Sequence, residues 1–335
     1  EIDSAYLCHN IEWAFKVWQE QPWGKHISFA TFCEYILPYR IEDEPLKYWR
    51  EEYYNKFDSL LIPLKNSNSP DKENPVAVAN YLIQKLPHKY HRYTGIFPYS
   101  FGHVGPEHVQ YLTGSCREVT DFAVYLFRAL GIPCAIDFIP VRGNVNASHL
   151  WVVCWDKDGK EYMTDFPREL WPTEKNWWHE HDDSPKVYRS TFSLNRTLAE
   201  ETGNDGEEIY PFWSLPKFTD ITHVYGRHYL EQVRIPVSRL YNTPTKGKIA
   251  YLCLSYRKRW IPVDRTVYKR GQLIFHKLRK GSVMRIATYE NKELEVIGTP
   301  GCFQQDGSHE YTNVFDGKSW TSFDYKESEG GWAGL

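Results

Sequence analysis

Apolar side chains in the first part of the chain recur every three or four positions: Ile11, Ala14, Phe15 and Trp18, then Phe29, Phe32, Cys33 and Ile36. That is the period of helices with one buried face. Residues 1–70 therefore read as a helical lobe, interrupted at Pro38 and Pro45. The polar run KNSNSPDKENP at 65–75 reads as a linker, and NPVAVANYLIQKLP as the next helix. Beyond position 133 the pattern shortens. CAIDFIP, SHLWVVCWD and KEYMTDF are short apolar runs of strand character, and a helix leading into several strands predicts an α+β core over 71–234. After an irregular, acidic and Trp-rich stretch, β runs return at close spacing over 235–335: KIAYLCLSY, TVYKRGQLIFHKL, SVMRIATYE and LEVIG, with turns at TKGK, KRGQ and ENKE. They predict a small C-terminal β-sandwich.

The sharpest local pattern is TGSCREVTDFAVYLFRALGIP, residues 113–133. Ser115 and Glu118 have the spacing of a capping box. Val119, Phe122, Ala123, Leu126, Phe127 and Leu130 form one apolar stripe, and Gly131 with Pro133 ends the helix. Cys116 is then the first helical residue. Its sulfur lies beside unpaired N–H groups and the positive end of the helix dipole, both of which favour thiolate over thiol. A cysteine at a helix end fills space in many folds, so its partners decide its role. A nucleophilic thiol needs an imidazole, and the imidazole needs a group that fixes its tautomer.

His149 opens one strand and Asp165 lies near the end of the next, across a hairpin that turns at Asp158-Gly159. A two-residue loop between Lys157 and Lys160 would set His149 opposite 168; a four-residue loop from Asp156 to Gly159 would set it opposite 166. Either register brings His149 and Asp165 to the same end of the hairpin.

Composition narrows the class. The 335 residues, 41% hydrophobic, suffice for two or three domains. The 40 basic and 43 acidic residues read as mixed along the chain, so no field draws nucleic acid or an anionic membrane, and the basic SYRKRW at 255–260 reads as a solvated strand edge. Seven cysteines, at 8, 33, 116, 134, 154, 253 and 302, form no CxxC and no zinc spacing. WWHEHDD offers His179, Glu180, His181 and Asp182, yet alternating histidines without a distant third ligand rarely hold a metal; no metal or other cofactor is expected. No run approaches the length of a membrane span. The start without methionine fits removal of a presequence, and with it a secreted, periplasmic or cell-surface address.

GSCREVTDFAVYLFRALGIPC, SHLWVVCWDKDGK and MTDFP together resemble the transglutaminase-like superfamily of papain-like thiol enzymes, over about 75–170. The resemblance implies Cys116 as nucleophile, His149 as general base and acid, and Asp165 as its orienter, in a bacterial multi-domain member with extra N-terminal helices. Leu150 departs from the pattern, which more often has a small residue there, and predicts crowding near the imidazole. For the oxyanion hole the candidates are the Cys116 N–H, Gln110, which resembles the papain-type glutamine six residues upstream, and Tyr111. The stretch TNVFDGKSWTSFDYKESEGGWAGL, 312–335, resembles the truncated start of a discoidin-like, galactose-binding-like domain, which implies a carbohydrate partner. The implied activity is acyl transfer from a protein, peptide or glycopeptide amide, with water as the expected acceptor. The alternative is an inactive peptide- or carbohydrate-binding protein on the same fold, and a third reading puts Cys116 in an internal thioester or an intermolecular disulfide.

Overall fold

Helix α1, Ser4–Glu20, begins where the Asp3 carboxylate accepts the Tyr6 N–H at 2.7 Å. It buries Tyr6, Asn10, Ala14 and Val17, whereas Ile11 is 43% exposed. The buried stripe runs one position beside the expected one because Asn10 is spent on Arg50, whose Nε donates to its Oδ1 at 2.6 Å. Helices α2 (Phe29–Tyr35), α3 (Trp49–Phe57) and α4 (Ile62–Lys65) follow. The polar run after α4 forms a short turn capped by Ser69, and Asn74 caps α5, Pro75–Lys85. Helix α6, Pro106–Val109, leads to α7, Cys116–Ala129. This computed structural model describes residues 2–90, 103–111, 114–143, 146–175, 185–202, 208–225, 229–236, 240–242, 244, 248–256, 259–279, 283–298, 301–303 and 311–313. The WWHEHDD segment and residues 314–335 of the C-terminal stretch lie outside them.

The chain divides into two compact units: Glu1–Arg142, Ala147–Asn204 and Pro211–Arg227 in one, Gly143–Asn146, Asp205–Tyr210 and His228–Leu335 in the other. The fold is α+β, with every described strand pair antiparallel.

In the first unit the sheet comprises β1 (Cys134–Ile139), β2 (His149–Trp155), β3 (Glu161–Thr164), β4 (Trp171–Pro172), β5 (Tyr188–Ser190) and β6 (Phe218–Asp220), in the order β4-β3-β2-β1-β5-β6. One face carries Cys134, Ile136, Val152 and Cys154 into a single core with α7 and the N-terminal helices. The other buries Ile139, Trp151, Met163 and Tyr225.

Gly131 ends α7 at φ +74°, and a Cβ there would come within 3.0 Å of the Val17 carbonyl oxygen. Both the left-handed backbone and the close approach of α1 call for glycine. Arg50 staples the region from within: its guanidinium also reaches the Ile36, Pro38 and Arg128 carbonyls.

The β2–β3 hairpin takes neither expected register. Trp155 pairs with Glu161, so the loop is the five residues 156–160, and regular pairing ends at Val152–Thr164. The Asp156 carboxylate sets that length by accepting the N–H groups of Asp158 (2.9 Å) and Lys160 (2.8 Å), while Gly159 takes φ +80°.

The second unit contains β7 (Tyr229–Pro236) paired with β10 (Gln272–Arg279), and a sheet in the order β14-β13-β11-β8-β9 with β12 on β11. Its remaining strands are β8 (Ile249–Tyr256), β9 (Arg259–Val267), β11 (Val283–Glu290), β12 (Glu293–Val296), β13 (Gly301–Phe303) and β14 (Tyr311–Asn313). The KRGQ and ENKE turns carry paired positive φ, at Arg270 and Gly271 and at Asn291 and Lys292, as two-residue hairpin loops require.

Removing the Arg50 guanidinium leaves buried carbonyls without donors. Arg50→Ala is expected to cost about 3 kcal/mol or more in urea unfolding; a loss below about 1 kcal/mol would contradict the stapling role.

Candidate active site

The N-terminus of α7 is closed by a reciprocal cap. The Ser115 N–H and hydroxyl both donate to Glu118 Oε2 at 2.7 Å, and the Arg117 N–H reaches the Ser115 hydroxyl at 3.4 Å. Gly114 leaves room for this arrangement, since a Cβ there would lie 2.6 Å from Glu118 Oε2. Cys116 is the first residue of the helix, where its N–H has no carbonyl one turn back to bond.

His149 is the first residue of β2 and is 9% exposed. Its Nε2 lies 2.8 Å from Asp165 Oδ1, and the ring is electrostatically coupled to the Cys116 thiol. With Nε2 taken, Nδ1 is the nitrogen left for sulfur. The Leu150 backbone N–H adds to the stabilisation of the thiolate form. Three residues distant in sequence therefore meet: a thiol at a helix mouth, an imidazole at a strand start and a carboxylate just past the end of the neighbouring strand.

The electrostatics of this group run in one direction. Burial opposes ionisation of Cys116, but the His149 hydrogen bond and charge, the Leu150 N–H and the positive charge of Arg142 outweigh it and lower the thiol below its ordinary value. For His149, burial opposes the imidazolium, yet the Asp165 hydrogen bond, the Cys116 contact and both negative charges hold it up at about 9. The thiolate–imidazolium pair is favoured between the lowered thiol value and about 9.

The expected crowding by Leu150 does not arise. Successive strand residues face opposite sides, and the Leu150 side chain packs with the core under α7, while His149 stands with Trp151, whose ring lies 5.5 Å away at 36°.

Gln110 and Tyr111 direct their contacts to α3. The Gln110 amide donates to Glu52 Oε1 at 2.9 Å and the Pro106 carbonyl at 3.3 Å, and its oxygen accepts from Lys56. Tyr111 is 74% exposed beneath Lys56.

Two polar groups escaped the sequence reading. Trp151 Nε1 donates to the Tyr225 hydroxyl at 3.0 Å, which donates to Asp137 Oδ2 at 2.5 Å; Asp137 in turn pairs with Arg189, which also binds Glu161. The lone carboxylate inside CAIDFIP was the available signal, because a charge on a buried strand needs a partner. On α7 itself, Asp121 bonds His103 at 2.8 Å, and Glu42 bonds the other ring nitrogen at 3.1 Å. Burial opposes that imidazolium too, but the two carboxylates hold it at about 10.

Among the described residues, no group of three or more His, Cys, Asp or Glu is placed to hold a metal ion, and no helix is long and apolar enough to cross a membrane.

The family model Transglut_core, transglutaminase-like superfamily, matches residues 59–165, a span that contains Cys116, His149 and Asp165. The match covers about a third of the chain. The matched span takes in the end of the N-terminal helical region as well as α5, α6, α7 and the first three strands. No curated protein matches the chain.

Asp165→Asn removes the charge that raises His149, so the imidazolium should be lost at lower pH and the thiolate should form at higher pH. The expected result is an alkylation rate for Cys116 by iodoacetamide reduced about tenfold or more near neutral pH, one pK unit being a factor of ten. A profile unchanged from the parent protein would contradict the coupling.

Proposed function

We propose that this protein is a papain-like thiol enzyme that cleaves protein, peptide or glycopeptide amides through Cys116, His149 and Asp165. The observation that carries the reading is the meeting of three groups at the N-terminus of α7: His149 is bonded to Asp165 at 2.8 Å, and its ring and the Cys116 thiol shift each other toward the charged forms. In the reaction, the Cys116 thiolate attacks the carbonyl carbon, a C–S bond forms and the oxygen takes the negative charge. The His149 imidazolium gives its proton to the departing nitrogen as the C–N bond breaks, leaving a thioester. Water then attacks the thioester while His149 takes its proton, and the carboxylic acid and the thiolate–imidazolium pair are released.

The Cys116 N–H, unbonded within the helix, is the first donor for the oxyanion. Gln110 could be a second only by giving up its bonds to Glu52 and Pro106. In this reading α7 packed on an antiparallel sheet is the papain-like core, and the all-β second unit is a sandwich-type module, supported by the burial of Val233, Ile235, Leu273 and Phe275 on one face of the β7–β10 pair. Water is the preferred acceptor, and an amine nucleophile would give transamidation through the same thioester.

The test is product analysis with peptide and glycopeptide pools, with and without a labelled primary amine. The wild-type protein should release a free carboxylic acid, and Cys116→Ala should lose this by about a thousandfold or more. His149→Ala should also lose the fast alkylation of Cys116. Amine incorporation exceeding hydrolysis would replace protease or amidase with transferase, and a Cys116→Ala protein as active as wild type would end the proposal. The rate of the wild-type enzyme should fall as pH passes upward through about 9, where His149 gives up the proton it must donate.

A further inference from the structure

The chain's charges, nearly balanced in total, are segregated. Between positions 234 and 289 there are 14 Lys and Arg against a single acid, Asp264, so the rest of the chain carries the surplus of acids. The reading of mixed charge along the chain gives way to a strongly basic stretch that contains SYRKRW and lies within the second unit. Several of its basic side chains face solvent without a counter-charge among the described residues. Lys248 pairs with Glu290, but Arg234, Arg259, Lys269 and Arg270 are exposed and have no acidic partner among the described residues.

Three of these four share one end of the β7–β10 ribbon. Arg234 stands opposite Ile274, Pro236 opposite Gln272, and Lys269 bridges to Gln272 at the β9–β10 turn that contains Arg270. By strand spacing and rise they lie within about 15 Å of one another. The inward residues there, Val233, Ile235, Leu273 and Phe275, are fully buried, so Arg234 stands on the outward face, and Lys269 and Arg270 are exposed at the turn beside it.

We infer that this face binds an acidic polypeptide, a chain carrying closely spaced Asp and Glu carboxylates. Arginine forks take carboxylates in pairs, and a positive concentration of this size captures polyanions by charge. The accompanying groups select among polyanions. Bases and sugar rings are held by exposed aromatic faces, and the only exposed large apolar side chain among the described residues of this unit is Tyr241. Its described elements include no helix to enter a nucleic-acid groove. A partner recognised by carboxylates along a backbone also bears the amides on which the proposed chemistry acts. The inference rests on that reading of the site and deepens it: the β unit recruits acidic protein substrates.

The experiment uses the full chain with Cys116→Ala, so that binding is measured without turnover. Fluorescence anisotropy follows a labelled glutamate-rich peptide, with a neutral Gly/Ser peptide, heparin and single-stranded DNA as comparisons. The glutamate-rich peptide should bind, the neutral one should not, and affinity should fall steeply as salt is raised. Reversal of three exposed charges, R234E/K269E/R270E, should weaken binding about tenfold or more while leaving the hydrolysis of a short neutral peptide, measured with Cys116 restored, as it is in the parent. No binding of the glutamate-rich peptide, binding unaffected by the reversal, or tighter binding of heparin or DNA would overturn the inference. Peptide capture with no amide chemistry would instead sink the enzymatic reading and spare the surface.

Discussion

Bringing a thiol and an imidazole together, where their charged forms favour each other, in a largely buried site is the constraint on which the rest of this structure depends. Each charge loses its water, and that cost exceeds their mutual attraction unless further groups hold them. Here the sulfur has the Leu150 N–H and the mouth of α7, and the imidazolium has Asp165. Much of the surrounding fold fixes these few positions. The Ser115–Glu118 cap sets where the helix begins, and the space left by Gly114 lets Glu118 reach back. Asp156 sets the loop length that delivers Asp165 to the imidazole. Trp151, anchored through Tyr225 to the Asp137–Arg189 pair, supports the ring from beside it.

Local features of this arrangement were legible in the chain because their causes are local. The capping box, the apolar stripe of α7, its left-handed exit at Gly131 and the turns at Arg270-Gly271 and Asn291-Lys292 all follow from neighbouring side chains and backbone preferences. The three-residue strands β5 and β6 are too short to show a period and were hidden in the irregular stretch. The hairpin register depended on a side chain bonding the backbone inside its own loop, which loop-length preferences do not include. Gln110 had the spacing of an oxyanion donor, but its amide is engaged by Glu52, 58 positions upstream, a contact that spacing cannot reveal. Leu150 looked like an obstruction only until strand alternation was applied to it, since its side chain and that of His149 lie on opposite faces.

The two units divide the physical work. In the first, buried charges are held in pairs, as with Arg189 between Asp137 and Glu161. In the second, a positive surplus is left facing solvent beside a ribbon whose apolar side is buried. Net charge conceals this division, because an average over the whole chain cancels a segregation that a window of some fifty residues makes plain. Buried paired charges serve geometry, and exposed unpaired ones serve attraction.

The most direct test of the account is to titrate the ionisation of Cys116 itself, by the ultraviolet difference between wild-type protein and Cys116→Ser, while following His149 by NMR. The account predicts that the thiolate signal persists well below the free cysteine value of about 8.5 and that His149 stays protonated up to about 9. A thiol that ionises near the free value, beside a His149 that titrates near its unperturbed value of about 6.5, would contradict it.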